Sequence, residues 1–192
     1  MIKKKLFIFH ILFIQLIFVT AVSADLQKKI INKLTLTKTL SFDFKQKIAD
    51  KEEVGICFIK YPLLMKCDYK NFKQKTIISN GKSVAIIKKK YKKIYRYPVK
   101  STPLFIILKK QEIINLIRKN PPVEISANLI KFVFIDKKKN KFKILFDKNS
   151  LNFKGWETKD AYSNDVSFII NNLNINSQIV DSFFKIPKEE DL

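Results

Sequence analysis

At 192 residues, 46 % of them hydrophobic and only three of them glycine, the chain has enough length and apolar content for one packed domain and is too apolar for a disordered tail. Its 38 Lys and Arg against 17 Asp and Glu give a formal charge of +21. The lysines are nonetheless scattered in short runs at expected strand ends and turns, with no base-stacking motif beside them, so no nucleic acid is expected as a partner.

Lys3, Lys4 and Lys5 precede an apolar stretch, Leu6 to Val19, and Val22-Ser23-Ala24 supplies the small residues that signal peptidase requires. This reads as a secretory signal, residues 1–24, cleaved before Asp25. The apolar stretch is shorter than the ~20 residues of a spanning helix. The remaining domain, residues 25–192, carries 21 − 3 = +18 charges. Cleavage also removes His10, the one histidine. A Ser-His-Asp triad, a Cys-His pair and a histidine metal site are then excluded. There is no glycine-rich phosphate loop, and the acidic residues sit mostly beside lysines. No catalytic residue, no metal ligand and no cofactor is therefore assigned. An enzyme, such as a carboxylate-dependent hydrolase, is the reading with least support.

Residues 25 to about 38 read as an amphipathic helix, with Leu26, Ile30 and Leu34 at four-residue spacing. In "LSFDFKQKI" the alternation of Leu40, Phe42, Phe44, Gln46 and Ile48 predicts a half-buried strand, and residues 50–53 predict a turn. Strands are expected at about 54–61, 63–70, 73–79, 83–89 and 91–97. "SNGK" at 79–82 is a tight hairpin signal of type I′. The pattern then changes. In "TPLFIILKKQEIINLIRKNPP", residues 102–122, Pro103 suits a helix start and Pro121-Pro122 an end, so one or two short apolar helices are expected. Strands resume at about 123–126, 128–136, 140–147, 150–158 and 165–175, with a short last strand at 183–186.

These elements predict a mostly β fold, an antiparallel meander of about eleven strands curving into an unclosed barrel, with short helices to cover its concave face. Phe42, Phe44, Ile59, Tyr61 and Met65 on the strands, and Leu104, Phe105, Ile107, Leu108, Ile114 and Ile117 on the helices, either line a lipid or acyl cavity or simply pack a core. Phe153 and Trp156 read as structural.

"GICFIKYPLLMKCDY", residues 55–69, holds the only two cysteines. In a hairpin turning at Pro62, Cys57 and Cys67 fall opposite each other, on one face with Ile59, Tyr61, Met65 and Tyr69. An oxidising compartment favours a disulfide between them, and two buried free thiols are the alternative.

Together with "FDFKQK" (42–47), "KTIISNGKSVAII" (75–87), "KSTPLFIIL" (100–108), "FDKNSLNFKGWETKD" (146–160) and "VSFIINNLNINSQIVDSFFKIP" (166–187), this hairpin resembles the outer-membrane lipoprotein carrier family, LolA, in family order over nearly the whole chain beyond the signal. The resemblance implies an unclosed antiparallel β-barrel with an α-helical lid, located in the periplasm and acting as a monomer. It implies acylated lipoproteins as cargo. An inner-membrane lipoprotein-releasing transporter would load it, and an outer-membrane acceptor would unload it. A periplasmic sensor or binder of another amphiphile, with the same fold but no delivery activity, is the alternative. One departure stands out. Family members commonly carry an arginine just before the hairpin proline, linked to lid closure and release. Here that position is Tyr61, preceded by Lys60, and Tyr61 is expected to hydrogen-bond a lid carbonyl at most.

Overall fold

The computed structural model describes residues 24–71, 74–135, 141–160 and 162–192. The signal segment expected at residues 1–24, His10 included, lies outside the described residues except for Ala24.

A first helix, α1, covers residues 24–36. A meander follows: β1 (Thr39–Ile48), β2 (Lys51–Lys60), β3 (Leu64–Tyr69), β4 (Lys75–Asn80), β5 (Ser83–Lys88) and β6 (Lys93–Pro98). Helices α2 (Leu104–Leu108) and α3 (Lys110–Lys119) interrupt it. The chain then returns through β7 (Glu124–Ile125), β8 (Leu129–Ile135), β9 (Lys141–Asp147), β10 (Phe153–Lys159) and β11 (Asp165–Ile175). All eleven strands form one antiparallel sheet in the order β6-β5-β4-β3-β2-β1-β11-β10-β9-β8-β7. The edges β6 and β7 do not pair, so the barrel is unclosed. The helical connection carries the chain from β6 to the opposite edge at β7, and the second meander brings β11 to the free side of β1, placing both halves of the chain in one continuous surface.

Curvature comes from two irregularities. Between β1 and β11 the register slips at Ser41/Asp43, where Asn172 takes a positive φ of 50°. Between β9 and β10 it slips at Phe153/Gly155. An extra residue on one strand bends it and increases its twist. Gly155 is required there: its φ is 141°, and a Cβ would run into the backbone carbonyl of Phe168.

Alternation then sorts side chains into two faces. Leu40, Phe42 and Phe44 of β1 and Cys57 and Ile59 of β2 are buried on the concave face. On the convex face, Ile78, Ala85 and Ile87 form a small separate cluster covered by Ile186 and Leu192 of the C-terminal tail.

Three local expectations are corrected. Residues 51–53 are strand and not turn, because Glu52 and Glu53 pair across the sheet with Lys45 and Lys75; only Ala49 and Asp50 turn. The 79–82 hairpin forms, but of its two loop residues only Gly81 has positive φ, the pattern of type II′ and not I′. Asn80 instead accepts the Lys82 and Ser83 amides. The last strand expected at 183–186 is a 3-10 turn, Asp181–Phe184. Packing wins over alternation there, since Phe184 is fully buried while Phe183 meets Phe58 edge-on and lies under Lys66.

Candidate functional site

The helices roof the concave face. α3 buries Ile113, Ile114 and Ile117, spaced at one and three residues so that they share a stripe, and α2 buries Ile107 and Leu108. α1 adds Ile30 and Leu34. The helix ends are tied by polar contacts. Gln27 of α1 donates to the carbonyls of Ile117 (2.7 Å) and Asn120 (2.9 Å) at the end of α3. Lys110, at the start of α3, donates to the carbonyls of Thr35 (3.0 Å) and Thr37 (2.7 Å) at the end of α1. α1 and α3 therefore lie antiparallel, each donating a side chain to carbonyls at the other's C-terminal end. Partial burial pulls the Lys110 ammonium below the usual lysine range.

Beneath the roof the inward faces converge. All eleven residues singled out in the sequence lie in one apolar cluster. Phe42, Phe44, Ile59, Met65, Ile107, Leu108, Ile114 and Ile117 are buried in it, and Tyr61, Leu104 and Phe105 pack against it partly exposed. Cys57 and Cys67 belong to the same cluster, are register partners, and are joined as a disulfide, with Cα atoms 4.0 Å apart.

The second half of the sheet contributes residues that the sequence reading passed over. Phe44 stacks on Phe168 (4.8 Å), Phe168 on Trp156 (4.0 Å), and Trp156 on Phe153 (6.0 Å), and contacts continue through Phe146 to Phe132. This aromatic ladder crosses five strands, so Trp156 and Phe153 form part of the concave wall. The signal was present in the alternation of Ile130, Phe132 and Phe134 and of Phe168 and Ile170. Gly55 makes room for it: a Cβ there would stand 2.7 Å from the Phe44 ring.

With the lid seated, side chains of the lid and the sheet are buried together in that one cluster. The gap between α1, β1 and the β9–β10 turn, lined by residues such as Leu34, Leu40 and Phe153, measures about 10 Å³, room for roughly one water.

The hairpin corner before the lid behaves differently from expectation. The Tyr61 hydroxyl is buried with no hydrogen-bond partner among the described residues, and burial raises its pKa. It bonds no lid carbonyl. The Leu63 amide does so instead, donating to Leu108 at 2.9 Å. Lys60 does not substitute for an arginine either. It points to the other face and holds the C-terminal segment at the Ile179 carbonyl and Asp181. A cation from the lid stands over the Tyr61 ring: Lys110 Nζ is 5.5 Å from the ring centroid.

The family model described as "Outer membrane lipoprotein carrier protein LolA" matches residues 35–187. The chain belongs to the LolA family. Membership places it among carrier proteins and not among enzymes. No curated protein sequence matches the chain significantly. Among solved structures, an uncharacterized conserved protein from Thermus thermophilus is similar at 10 % identity and TM-score 0.53, over 86 % of this chain and 95 % of that one. A LolA superfamily protein from Nitrosomonas europaea is similar at 7 % identity and TM-score 0.46, over 85 % of this chain and 97 % of that one. In this LolA-family chain the helical roof is seated on the unclosed sheet, and the residue before the hairpin proline is the uncharged Tyr61.

Proposed function

We propose that this chain is a periplasmic carrier that shields the acyl chains of lipoproteins beneath its helical lid and passes them, as a monomer, from the inner to the outer membrane. The observation that supports this most is the single apolar cluster shared by the concave sheet and the lid, roofed by helices whose polar ties, among the described residues, sit in their end turns. Each buried CH₂ is worth roughly 0.8 kcal/mol, so an acylated protein does not cross water unshielded. Non-directional contacts also suit a site that must later let go. In this reading a lipoprotein-releasing transporter in the inner membrane loads the protein and an outer-membrane acceptor unloads it.

The test is native mass spectrometry after incubation with triacylated lipoprotein in inner-membrane vesicles. A soluble one-to-one complex is the expected result. Failure to extract lipoprotein, with a free lipid bound instead, would refute delivery. That outcome would support a second reading, an amphiphile binder or sensor on the same fold. The partnerless, uncharged Tyr61 at the arginine position favours that reading.

A further inference from the structure

The stretch between Lys88 and Lys100, "KKKYKKIYRYPVK", carries seven cations and no acid. It forms the end of β5, a 3-10 turn at Lys89–Tyr91 and the edge strand β6, and from there the chain runs directly into the lid. Lys88 and Lys93 stand directly opposite each other across the hairpin, a like-charge pairing that costs stability. Lys89, Lys92 and Lys93 are exposed and make no ion pair among the described residues. Three tyrosines stand among them, with 51 % of Tyr91, 45 % of Tyr95 and 46 % of Tyr97 open to solvent. Lys88 lies 5.1 Å from the Tyr95 ring centroid.

The tail occupies only one side of this edge strand. Glu189 accepts the Ile94 amide and the Pro187 carbonyl accepts Arg96 Nη2. Ile94 packs on the convex-face cluster. By alternation Lys93, Tyr95 and Tyr97 fall on the opposite face, which the tail leaves open. The edge is therefore not free to accept a further strand at Ile94, but the basic and aromatic surface beside it is.

We propose that this hairpin surface docks on an anionic phospholipid membrane. Lysines supply attraction to the negative leaflet, and tyrosines, apolar in body and polar at the tip, seat at headgroup depth. An acidic protein partner would use the charge but gain less from three exposed tyrosines spaced along one hairpin. The inference stands whether or not the chain carries lipoproteins, because the vesicles that test it contain none.

The experiment is co-sedimentation with vesicles of phosphatidylcholine, with and without phosphatidylglycerol, at low and high salt. Binding is expected to the anionic vesicles only and to weaken with salt. A cation at the leaflet is worth about fivefold in partitioning. Lys89→Gln/Lys92→Gln/Lys93→Gln should then lower binding about a hundredfold. Tyr95→Ser/Tyr97→Ser should lower it at unchanged charge. The control is Lys51→Gln/Lys148→Gln/Lys154→Gln, equal in charge but distant in sequence and strand, which should retain most of the binding. If the control loses as much as the hairpin variant, only net charge matters and the proposal falls. It falls equally if the protein binds a polyglutamate peptide but no vesicle.

Discussion

Ile117→Ala separates a lid from a permanent core. Ile117 is fully buried at the centre of the roof, on α3. Truncating a buried isoleucine costs about 2–5 kcal/mol. If α2 and α3 open as a unit, that loss falls on the closed state alone. Ligand affinity in a lidded site is lowered by the fraction of molecules that are open. Weakening closure by about 2 kcal/mol therefore raises affinity for an apolar probe about 30-fold, less whatever contact Ile117 itself would give the probe. The assay is titration with a fluorescent fatty acid, beside urea unfolding. The comparison is Ile87→Ala, equally buried but in the convex cluster under the tail. It should lose comparable stability and gain no affinity. If both variants bind the probe equally, or Ile117→Ala binds no better than wild type, the helices are core and the lid reasoning is wrong.

Cys57→Ala/Cys67→Ala opens a cross-link spanning ten residues; loop closure predicts a loss of about 2–3 kcal/mol. Its Tm should fall about 5–10 °C, and dithiothreitol should lower the Tm of wild type but not of the variant. Asp147 accepts the Ser150 amide (2.7 Å), the Ser150 hydroxyl (2.7 Å) and the Asn149 amide (3.2 Å) in the β9–β10 turn, which hold its carboxyl below the ordinary 3.8. A depressed folded pKa gives stability that is present above the unfolded value and lost as pH falls through the folded one. The turn is open to solvent, so Asp147→Asn should cost about 0.5 kcal/mol at neutral pH. The gap should close as pH drops below 3.8, and urea melts showing a constant gap would contradict this.

How much was legible follows from what each signal depends on. The Cys57–Cys67 pairing was readable because a proline corner and period-2 alternation fix a hairpin register locally. Helix positions 104–119 were readable from the change of period between two prolines. The strand limits at 51–53 were not, because Glu52 and Glu53 look like turn residues until Lys45 of β1 and Lys75 of β4 pair with them. The aromatic ladder was under-read for the same reason. Phe168 and Phe132 lie on strands far from β1 in sequence, and only the return of β11 beside β1 makes Phe44 and Phe168 neighbours. Lys110 was invisible as a tie, since nothing in the sequence says that the start of α3 meets the end of α1.

The seated lid gives the carrier reading a specific energetic form. Five lid side chains, Ile107, Leu108, Ile113, Ile114 and Ile117, are buried. Exposing them together would cost about 7–15 kcal/mol as an upper bound, comparable to the whole stability of a domain. Opening into water is then rare, and opening against an acyl chain is an exchange: the chain's CH₂ groups take the sheet contacts that the lid gives up. An exchange of apolar surface for apolar surface sits near balance, which suits a protein that must both accept and surrender its cargo. What biases that balance is polar, namely the Gln27 and Lys110 ties and the Leu63–Leu108 bond that reform on closure. The lid's cation, Lys110, donates to backbone carbonyls of α1 while standing 5.5 Å from the Tyr61 ring. Tyr61 can therefore be neutral without leaving the lid unheld, because the contact between the two helices holds it.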